Sequence, residues 1–339
     1  MLPMKLQHFT IPVFIPEEAC PNRCVFCNQH RIAGADCAPS VDEVIAKIDA
    51  HLLTIPDSGE VEIGFFGGNF TGIPVEGQKA YLASVQGYIS SGRIKSIRIS
   101  TRPDYINRDI LTMLKQYHVI TIELGAQSLD DEVLRLAGRG HTAAEVHKAA
   151  EMIKESGFSL GLQMMIGLPG DTAEKSIFTA TEIIRLGADC TRIYPTLVIK
   201  NTELEQLYLE GKYQPLLLEE AISRVADLVP LFVDAGVKIL RIGLHPSDGL
   251  MDGSSLVAGP FEVAFGEMVF SEIWNRLFTT MVFNNGKRNL LTITTARGMR
   301  NAAIGYKALN KAMLLESFRK VIFNENPDLK GFEYYADTV

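Results

Sequence analysis

Three closely spaced cysteines restrict the chemistry of this chain more than any other residues. Cys20, Cys24 and Cys27 follow the pattern C-x3-C-x2-C within eight residues. Thiolates are the usual ligands of a [4Fe–4S] cube, and three cysteines on one loop can bind three of its four irons. No fourth cysteine follows at a similar interval. The spacing therefore predicts a cluster whose remaining iron is open to a small molecule.

Other interpretations of the cysteine loop remain open. His30 could complete a zinc site of the form C-x3-C-x2-C-x2-H, although structural zinc sites usually combine two paired knuckles. Three unrelated buried thiols are a further alternative, which the polar neighbours of the cysteines disfavour. A disulfide framework is not expected, because five cysteines in 339 residues is a sparse and odd number. Cys37 and Cys190 are interpreted as structural bystanders.

The cysteine pattern resembles the signature of the radical SAM superfamily. The resemblance implies that Cys20, Cys24 and Cys27 bind a [4Fe–4S] cluster. It also implies that the open iron is chelated by S-adenosylmethionine (SAM), which the reduced cluster cleaves to a 5'-deoxyadenosyl radical for hydrogen abstraction. An electron donor such as flavodoxin or ferredoxin is then an expected partner.

Later motifs resemble the SAM-binding residues of the same family. Gly67 and Gly68 resemble a glycine pair that lets the backbone approach the methionine part of SAM without a Cβ in the way. Asn69 stands where many members have glutamate, and its carbonyl is expected to accept from the SAM ammonium. The further SAM contacts that the resemblance implies are Phe26 near the adenine, Arg102, Gln127 near the ribose or methionine, Arg139 on the carboxylate and Gln163 on the ribose hydroxyls.

This chain resembles one branch of the family in particular, over roughly residues 8–245. That branch contains the Elongator catalytic subunits and the oxygen-independent coproporphyrinogen oxidases, and its motifs resemble residues 100–104, 124–130 and 193–199. Tyr194, in the last of these, is predicted as a substrate or radical-relay residue, with plain packing as the alternative. The 94 residues after His245 are too few for the acetyltransferase domain of the Elongator subunits. The tRNA reaction of that branch is therefore not carried over, since fold does not imply function.

The elements that must position these residues alternate between short apolar runs and amphipathic stretches, which predicts a parallel sheet with helical crossovers. Strands are predicted at 9–15, 61–66, 97–101, 121–126, 160–166 and 191–198. Helix starts are expected at Ser40–Glu43, Thr142–Glu145 and Asp171–Glu174, each with the spacing of a capping box. Gly157 and Gly187 are predicted to end helices.

The predicted fold class is α/β, a partial (β/α)6 TIM-like barrel with a small C-terminal α+β extension. The site residues follow the carboxyl ends of successive strands, the face where β/α barrels build their sites. The predicted divisions are 1–200 for the barrel, 201–283 for a helical extension and 284–339 for a small basic module. After the barrel, helices are predicted at 203–209, 218–235, 262–283 and 298–320, and strands at 237–242, 290–294 and 332–335.

Charge is unevenly distributed along the chain, whose net charge is −7. Residues 284–320 contain eight basic side chains and one acidic one, so they carry +7 and the remainder carries −14. Arg297, Arg300, Lys307 and Lys311 would share a face of one continuous helix. This segment is predicted to contact RNA, with a solvated surface or docking on the acidic barrel as the alternative.

The composition, 47% hydrophobic and 22% charged, is that of a globular domain, and no uncharged run is long enough for a membrane helix. A cytoplasmic location is expected. The predicted function is a radical SAM enzyme acting on RNA, by tRNA modification. Two alternatives stay open: a radical SAM enzyme acting on a small molecule of the tetrapyrrole type, and a non-catalytic metal-containing RNA-binding protein.

Overall fold

The computed structural model describes residues 8–16, 20, 24–28, 37–279 and 288–338. Its main feature is a curved sheet of seven parallel strands in the order β1-β2-β3-β4-β5-β6-β8. These strands are β1 (His8–Ile15), β2 (Glu60–Gly67), β3 (Ser96–Thr101), β4 (Val119–Gln127), β5 (Ser159–Ile166), β6 (Cys190–Pro195) and β8 (Lys238–Ile242). Because β1 and β8 are the two edges of this sheet, the structure is a half-barrel with an open side between them.

Helices connect the strands and cover one face of the sheet. In chain order they are α1 (Val41–Leu52), α2 (Val75–Ser90), α3 (Arg108–Gln116), α4 (Asp131–Leu136), α5 (Ala143–Glu155), α6 (Ala173–Arg185), α7 (Glu203–Leu209), α8 (Leu218–Asp234), α9 (Asp248–Met251) and α10 (Phe265–Thr279). Apolar side chains from strands and helices form one large core between the two layers. The predicted partial β/α barrel is confirmed, with β8 as one further strand of its sheet.

Local capping signals explain several of the helix starts. The capping boxes at Ser40–Glu43 and Thr142–Glu145 are both formed, and Gly157 and Gly187 follow helices with φ of +78° and +69°, as predicted. The third capping prediction is wrong. Thr172 caps α6 instead, because its side chain accepts from Lys175 N.

The carboxylate of Asp171 binds other groups instead of capping the first turn of α6. It accepts from Gly167 N at 2.7 Å, Ser176 Oγ at 2.8 Å and Arg224 Nη1 at 3.1 Å. The carboxylate therefore closes the glycine-containing turn after β5.

The strand predicted at 191–198 is interrupted. β6 ends at Pro195, and Val198–Ile199 forms β7, which pairs with β9 (Leu256–Ala258) in a separate two-stranded sheet.

A three-stranded sheet completes the described fold. Its order is β11-β10-β12, formed by β11 (Phe318–Asn326), β10 (Arg288–Ala296) and β12 (Tyr334–Thr338). Trp274 and Phe278 of α10 pack beneath it in a second apolar cluster.

The continuous helix predicted over 298–320 is wrong. α11 (Arg300–Ile304) ends at Gly305, whose φ is +89°, and α12 (Leu309–Ser317) gives way to β11 at Phe318. The four cations predicted to share one helix face therefore lie on two short helices and their connections.

The predicted divisions at residues 200 and 283 stay predictions. None of the helices in the described ranges has both the length and the apolar character that a membrane span requires.

Candidate functional site

A cavity of about 1140 Å³ occupies the inside of the half-barrel and reaches its carboxyl-terminal rim. Eleven of the twelve predicted site residues line it, and Asn69 is the one that does not. The eleven are Cys20, Cys24, Phe26, Cys27, Gly67, Gly68, Arg102, Gln127, Arg139, Gln163 and Tyr194. The structure thus brings residues from seven places along the chain together, while the role of each stays a prediction.

The described part of the cysteine loop is held by backbone and apolar contacts. Val25 N donates to Ala137 O at 3.1 Å, and Leu204 N donates to Val25 O at 2.7 Å. Val25 and Phe26 are buried in a small apolar cluster with residues of α4 and α7. The apolar residues between the cysteines therefore anchor the loop at the rim, and Phe26 also faces the cavity.

The donor set at the rim fits an iron–sulfur cluster. All five cysteines lie in the described residues, and none of them forms a disulfide. Across those residues no three His, Cys, Asp or Glu side chains converge on a single metal ion, but the ligands of a cube bind separate irons and need not converge. The zinc alternative depends on His30, which lies outside the described residues.

Two buried arginines stand beside the thiols. Arg139 Nη1 donates to Cys24 Sγ at 3.0 Å, and its Nη2 donates to Gly125 O at 2.6 Å. Arg139 Nε and Arg102 Nη1 are buried without a hydrogen-bond partner among the described residues. Buried guanidinium donors are costly to leave unpaired, so these two atoms indicate an anionic ligand at the rim and fit both thiolates and a carboxylate.

Arg102 is held rigidly in place. Its Nε and Nη2 form a two-point ion pair with Asp104, both at 2.9 Å, and Nη2 also donates to Arg139 O at 2.8 Å. Burial opposes the charged form, but the Asp104 carboxylate together with Cys24 and Cys20 outweighs it and raises the pKa of Arg102. Arg102 thus stays charged and positions the backbone of Arg139.

Packing between neighbouring strands requires a glycine at the first position of the Gly67–Gly68 pair. Gly67 has a φ of +120°, and a Cβ there would overlap the carbonyl oxygen of Ile15 in the neighbouring strand β1. Gly68 N lies 3.4 Å from the same carbonyl. The backbone of β2 therefore turns at Gly67 and exposes the pair to the cavity.

Asn69 is buried below the rim. Its Oδ1 accepts from Thr101 Oγ1 at 2.7 Å and from Arg102 N at 3.3 Å. In this structure the amide oxygen joins the end of β3 to the turn after β2, so Asn69 positions Arg102. Its predicted contact with the SAM ammonium stays a prediction.

Two glutamines meet on the inner surface of the sheet. Gln163 Nε2 donates to Gln127 Oε1 at 3.1 Å. Gln127 has a φ of +67°, at an irregularity in the pairing of β4 with β5. A Cβ on the neighbouring Gly125 would lie 3.0 Å from Gln127 Nε2, so glycine leaves the space that the amide occupies.

An ion-pair network that was not predicted from the sequence lies inside the barrel. Arg98 Nε donates to Glu62 Oε1 and its Nη1 donates to Glu123 Oε1, both at 2.9 Å. Arg192 Nε and Nη2 donate to the same Glu123 carboxylate at 2.6 and 3.1 Å. Burial opposes the charged forms, but the carboxylates outweigh it and raise the pKa values of Arg98 and Arg192. Charged residues inside otherwise apolar predicted strands were the signal available in the sequence.

Tyr194 lines the cavity next to this network. Burial is the main cause that raises the pKa of its phenol, and Arg192 acts in the opposite direction. The phenol is therefore protonated at neutral pH and can donate a hydrogen bond into the cavity. Its catalytic role stays a prediction.

His141 is a further side chain at the rim, and it was not predicted from the sequence as a site residue. It is buried, and burial together with the positive charges of Arg139 and Arg102 lowers its pKa to about 3. The imidazole is therefore neutral at physiological pH.

Known families and proteins show similarity over most of the chain. The Radical SAM superfamily matches residues 14–180, and the Radical_SAM C-terminal domain matches residues 188–275. A tRNA uridine(34) acetyltransferase of Dehalococcoides mccartyi is 26% identical over 277 residues, covering 69% of this chain and 60% of that protein. Elongator complex protein 3 of Homo sapiens is 31% identical over 194 residues, covering 50% of this chain and 36% of that protein.

Among solved structures, the archaeal Elp3 of Methanocaldococcus infernus with an N-terminal deletion superimposes with a TM-score of 0.64. At 22% identity, the match covers 80% of this chain and 63% of that one, and it shows a shared fold. The chain spans about a third to three-fifths of the length of these two curated relatives.

Proposed function

Because this chain is an enzyme of the radical SAM superfamily, we propose that it generates a 5'-deoxyadenosyl radical at the half-barrel rim and uses it on an RNA substrate, specifically a tRNA. The observation that carries the proposal is the single cavity that joins the three cysteines to Arg139, Gln127 and Gln163. The RNA part draws its support from the relatives' names and from the basic C-terminal segment.

Cys20, Cys24 and Cys27 would hold the [4Fe–4S] cluster. When bound, such a cluster supplies the electron that cleaves SAM, and the protein supplies orientation and electrostatics. Arg139 and Arg102 place positive charge beside the thiols, which favours the thiolate ligands. The apolar packing of Val25 and Phe26 holds the loop and keeps water from that side of the cysteines.

The remaining lining residues would hold SAM. Arg139 Nε is a buried donor with no partner among the described residues, and a guanidinium binds a carboxylate by two parallel hydrogen bonds. The amides of Gln127 and Gln163 already contact each other and would bind the ribose hydroxyls. The exposed backbone at Gly67 and Gly68 would lie along the methionine part.

The RNA part of the proposal is supported by charge on the C-terminal segment. The exposed cations there, all in described residues, are Arg288, Arg297, Arg300, Lys307, Arg319 and Lys320. Lys287 of the same segment lies outside the described residues. Cations of this density bind phosphate backbones with steep salt dependence. Two relatives carry names of tRNA modification and of the Elongator complex, which supports tRNA as the polyanion.

The test of the radical step is 5'-deoxyadenosine formation by anaerobically reconstituted protein with SAM and dithionite. We expect product from the wild-type chain and from Cys37→Ser, whose exposed thiol lies outside the predicted ligand set. We expect none from Cys27→Ser, with loss of cluster iron. Equal 5'-deoxyadenosine formation by the Cys27→Ser and Cys37→Ser variants would exclude the cluster assignment. A wild type that forms no 5'-deoxyadenosine but binds tRNA would favour the non-catalytic RNA-binding alternative.

The test of the RNA step is tRNA affinity at several salt concentrations. We expect Arg300→Gln combined with Lys307→Gln to weaken binding and to flatten its salt dependence. Arg185→Gln combined with Lys79→Gln removes two charges from ion pairs on other helices and is the matched control. Equal tRNA affinity in the two double variants would contradict the proposed contact. If the protein then still forms 5'-deoxyadenosine, the result would favour a small molecule as the substrate.

A further inference from the structure

We propose that Arg241 and Ser247 form a phosphate-binding subsite at the mouth of the cavity, which receives a phosphate group of the substrate. This inference rests on the proposed function, because the substrate must enter the same cavity. It goes beyond that function by naming a recognition element that is separate from the cysteines and from the residues predicted to hold SAM.

The placement of Arg241 follows from the sheet. Arg241 lies on β8, the edge strand, and its backbone is in register with Arg192 on β6. Both side chains line the cavity. Because β8 borders the open side of the half-barrel, Arg241 stands where a substrate would enter.

The two arginines differ in how their charges are compensated. Arg192 is neutralised by the Glu123 carboxylate, with contacts of 2.6 and 3.1 Å. Arg241 has no carboxylate within 4.0 Å among the described residues. Its Nε and Nη2 donate to the carbonyl oxygens of Gly243 at 2.9 Å and Leu244 at 2.8 Å. The guanidinium is thus held in a fixed orientation by neutral groups and keeps its full positive charge.

Burial and the charge of Arg192 lower the pKa of Arg241. A half-buried cation without a carboxylate partner among the described residues is unfavourable in the free protein, and an anion relieves that cost. Nη1 makes no hydrogen bond to any described residue, so one side of the planar fork is available to a ligand.

Ser247 supplies a second donor on the loop that follows β8. Its Oγ is buried without a hydrogen-bond partner among the described residues, and the residue lines the same cavity. His245 and Asp248 line this part of the cavity as well, and both are exposed. The Asp248 carboxylate makes no ion pair with Arg241 in the described structure, so it leaves the guanidinium charge uncompensated.

Phosphate suits these two donors better than a neutral group. It accepts hydrogen bonds on several oxygens at once, and an arginine fork matches its geometry. The phosphate has two possible sources, the backbone of an RNA or a small phosphorylated compound. Both present the same chemistry to Arg241 and Ser247.

The test measures the affinity of the reconstituted protein for inorganic phosphate and, separately, for tRNA. We expect Arg241→Gln to weaken phosphate binding about tenfold to a hundredfold, the effect of one charged hydrogen-bonding partner. We expect Ser247→Ala, which keeps the Arg241 contacts to the loop, to weaken it by about threefold to tenfold. Arg185→Gln removes the same charge from an exposed ion pair and should leave phosphate affinity unchanged.

The tRNA measurement separates the two sources of phosphate. A parallel loss of tRNA affinity in Arg241→Gln supports an RNA phosphate, while unchanged tRNA affinity with lost phosphate affinity supports a small phosphorylated compound. Phosphate affinity that is unchanged in both Arg241→Gln and Ser247→Ala overturns the subsite, as does a wild type that does not bind phosphate.

Formation of 5'-deoxyadenosine by the same preparations keeps the two proposals apart. Product formation together with unchanged phosphate affinity overturns only the subsite. Absence of product from the wild type overturns the radical function. The subsite is then still tested by the phosphate affinities of the Arg241→Gln and Ser247→Ala variants.

Discussion

Replacing Glu123 by glutamine tests the energetics of the barrel interior. The Glu123 carboxylate accepts from Arg98 Nη1 at 2.9 Å and from Arg192 at 2.6 and 3.1 Å. Glutamine keeps the shape of the side chain but removes the negative charge. Among the described residues, Arg98 then retains Glu62 as its one carboxylate partner, and Arg192 retains none.

The size of the effect follows from the cost of an unpaired buried charge. Breaking a buried ion pair by removing one partner typically costs about 3–5 kcal/mol, whereas an exposed pair contributes about 0–1 kcal/mol. We therefore expect Glu123→Gln to lower the free energy of unfolding by about 3–5 kcal/mol. Glu182→Gln, whose partner Arg185 is exposed, should lower it by less than about 1 kcal/mol.

Urea unfolding followed by circular dichroism measures both values, and a double variant tests the cause. Glu123→Gln combined with Arg192→Leu removes the unpaired cation as well, so it should recover part of the lost stability. A loss below about 1 kcal/mol for Glu123→Gln would refute the reasoning. A double variant that is less stable than the single one would show that lost packing, and not the unpaired charge, sets the cost.

Three further predictions concern the rim and its supports. Gly67→Ala should abolish SAM cleavage and reduce iron content after reconstitution, because the new methyl group overlaps the Ile15 carbonyl. Gly87→Ala, with open space around its Cβ, is the control, and equal activity of the two variants would contradict the close approach. The pKa of His141 is lowered to about 3, so its contribution to stability is fully present above the unfolded-state pKa and declines as the pH falls from about 6.5 toward 3, by at most about 1.4 kcal/mol per pH unit. His141→Gln should flatten the pH dependence of unfolding in that window, and an unchanged slope would show that the folded-state pKa is not depressed. Asp171→Asn should lower the free energy of unfolding by about 2–3 kcal/mol because Arg224 loses its charged partner, and a urea midpoint equal to that of the wild type would count against the turn depending on Asp171.

Much of the site could be predicted from local patterns. The cysteine spacing and the motifs after each strand were readable in the sequence, and parallel strands bring their carboxyl ends to one edge of a sheet. For that reason Gly67, Gln127, Arg139 and Gln163 line one cavity although they are far apart in the chain. The capping boxes at Ser40 and Thr142 were predictable because each depends on residues only three positions apart.

The errors arose where distant parts of the chain decide the outcome. Phe318–Asn326 became a strand because β10 offers it a parallel partner and Trp274 and Phe278 supply apolar surface. Asp171 was predicted as a cap from its spacing, but Arg224 and Ser176 compete for its carboxylate.

By itself, the sequence of this protein determined the types and spacing of the predicted site residues, the alternation of strands and helices, and the edge at which those residues collect. These features depend on residue type and on short-range spacing, which are written along the chain. Only the tertiary structure decided that Asn69 supports Arg102, that Glu123 joins two arginines, and that Arg241 faces the cavity without a carboxylate partner among the described residues. Those features depend on which side chains burial brings within hydrogen-bond distance, and contacts between strands far apart in sequence set those distances.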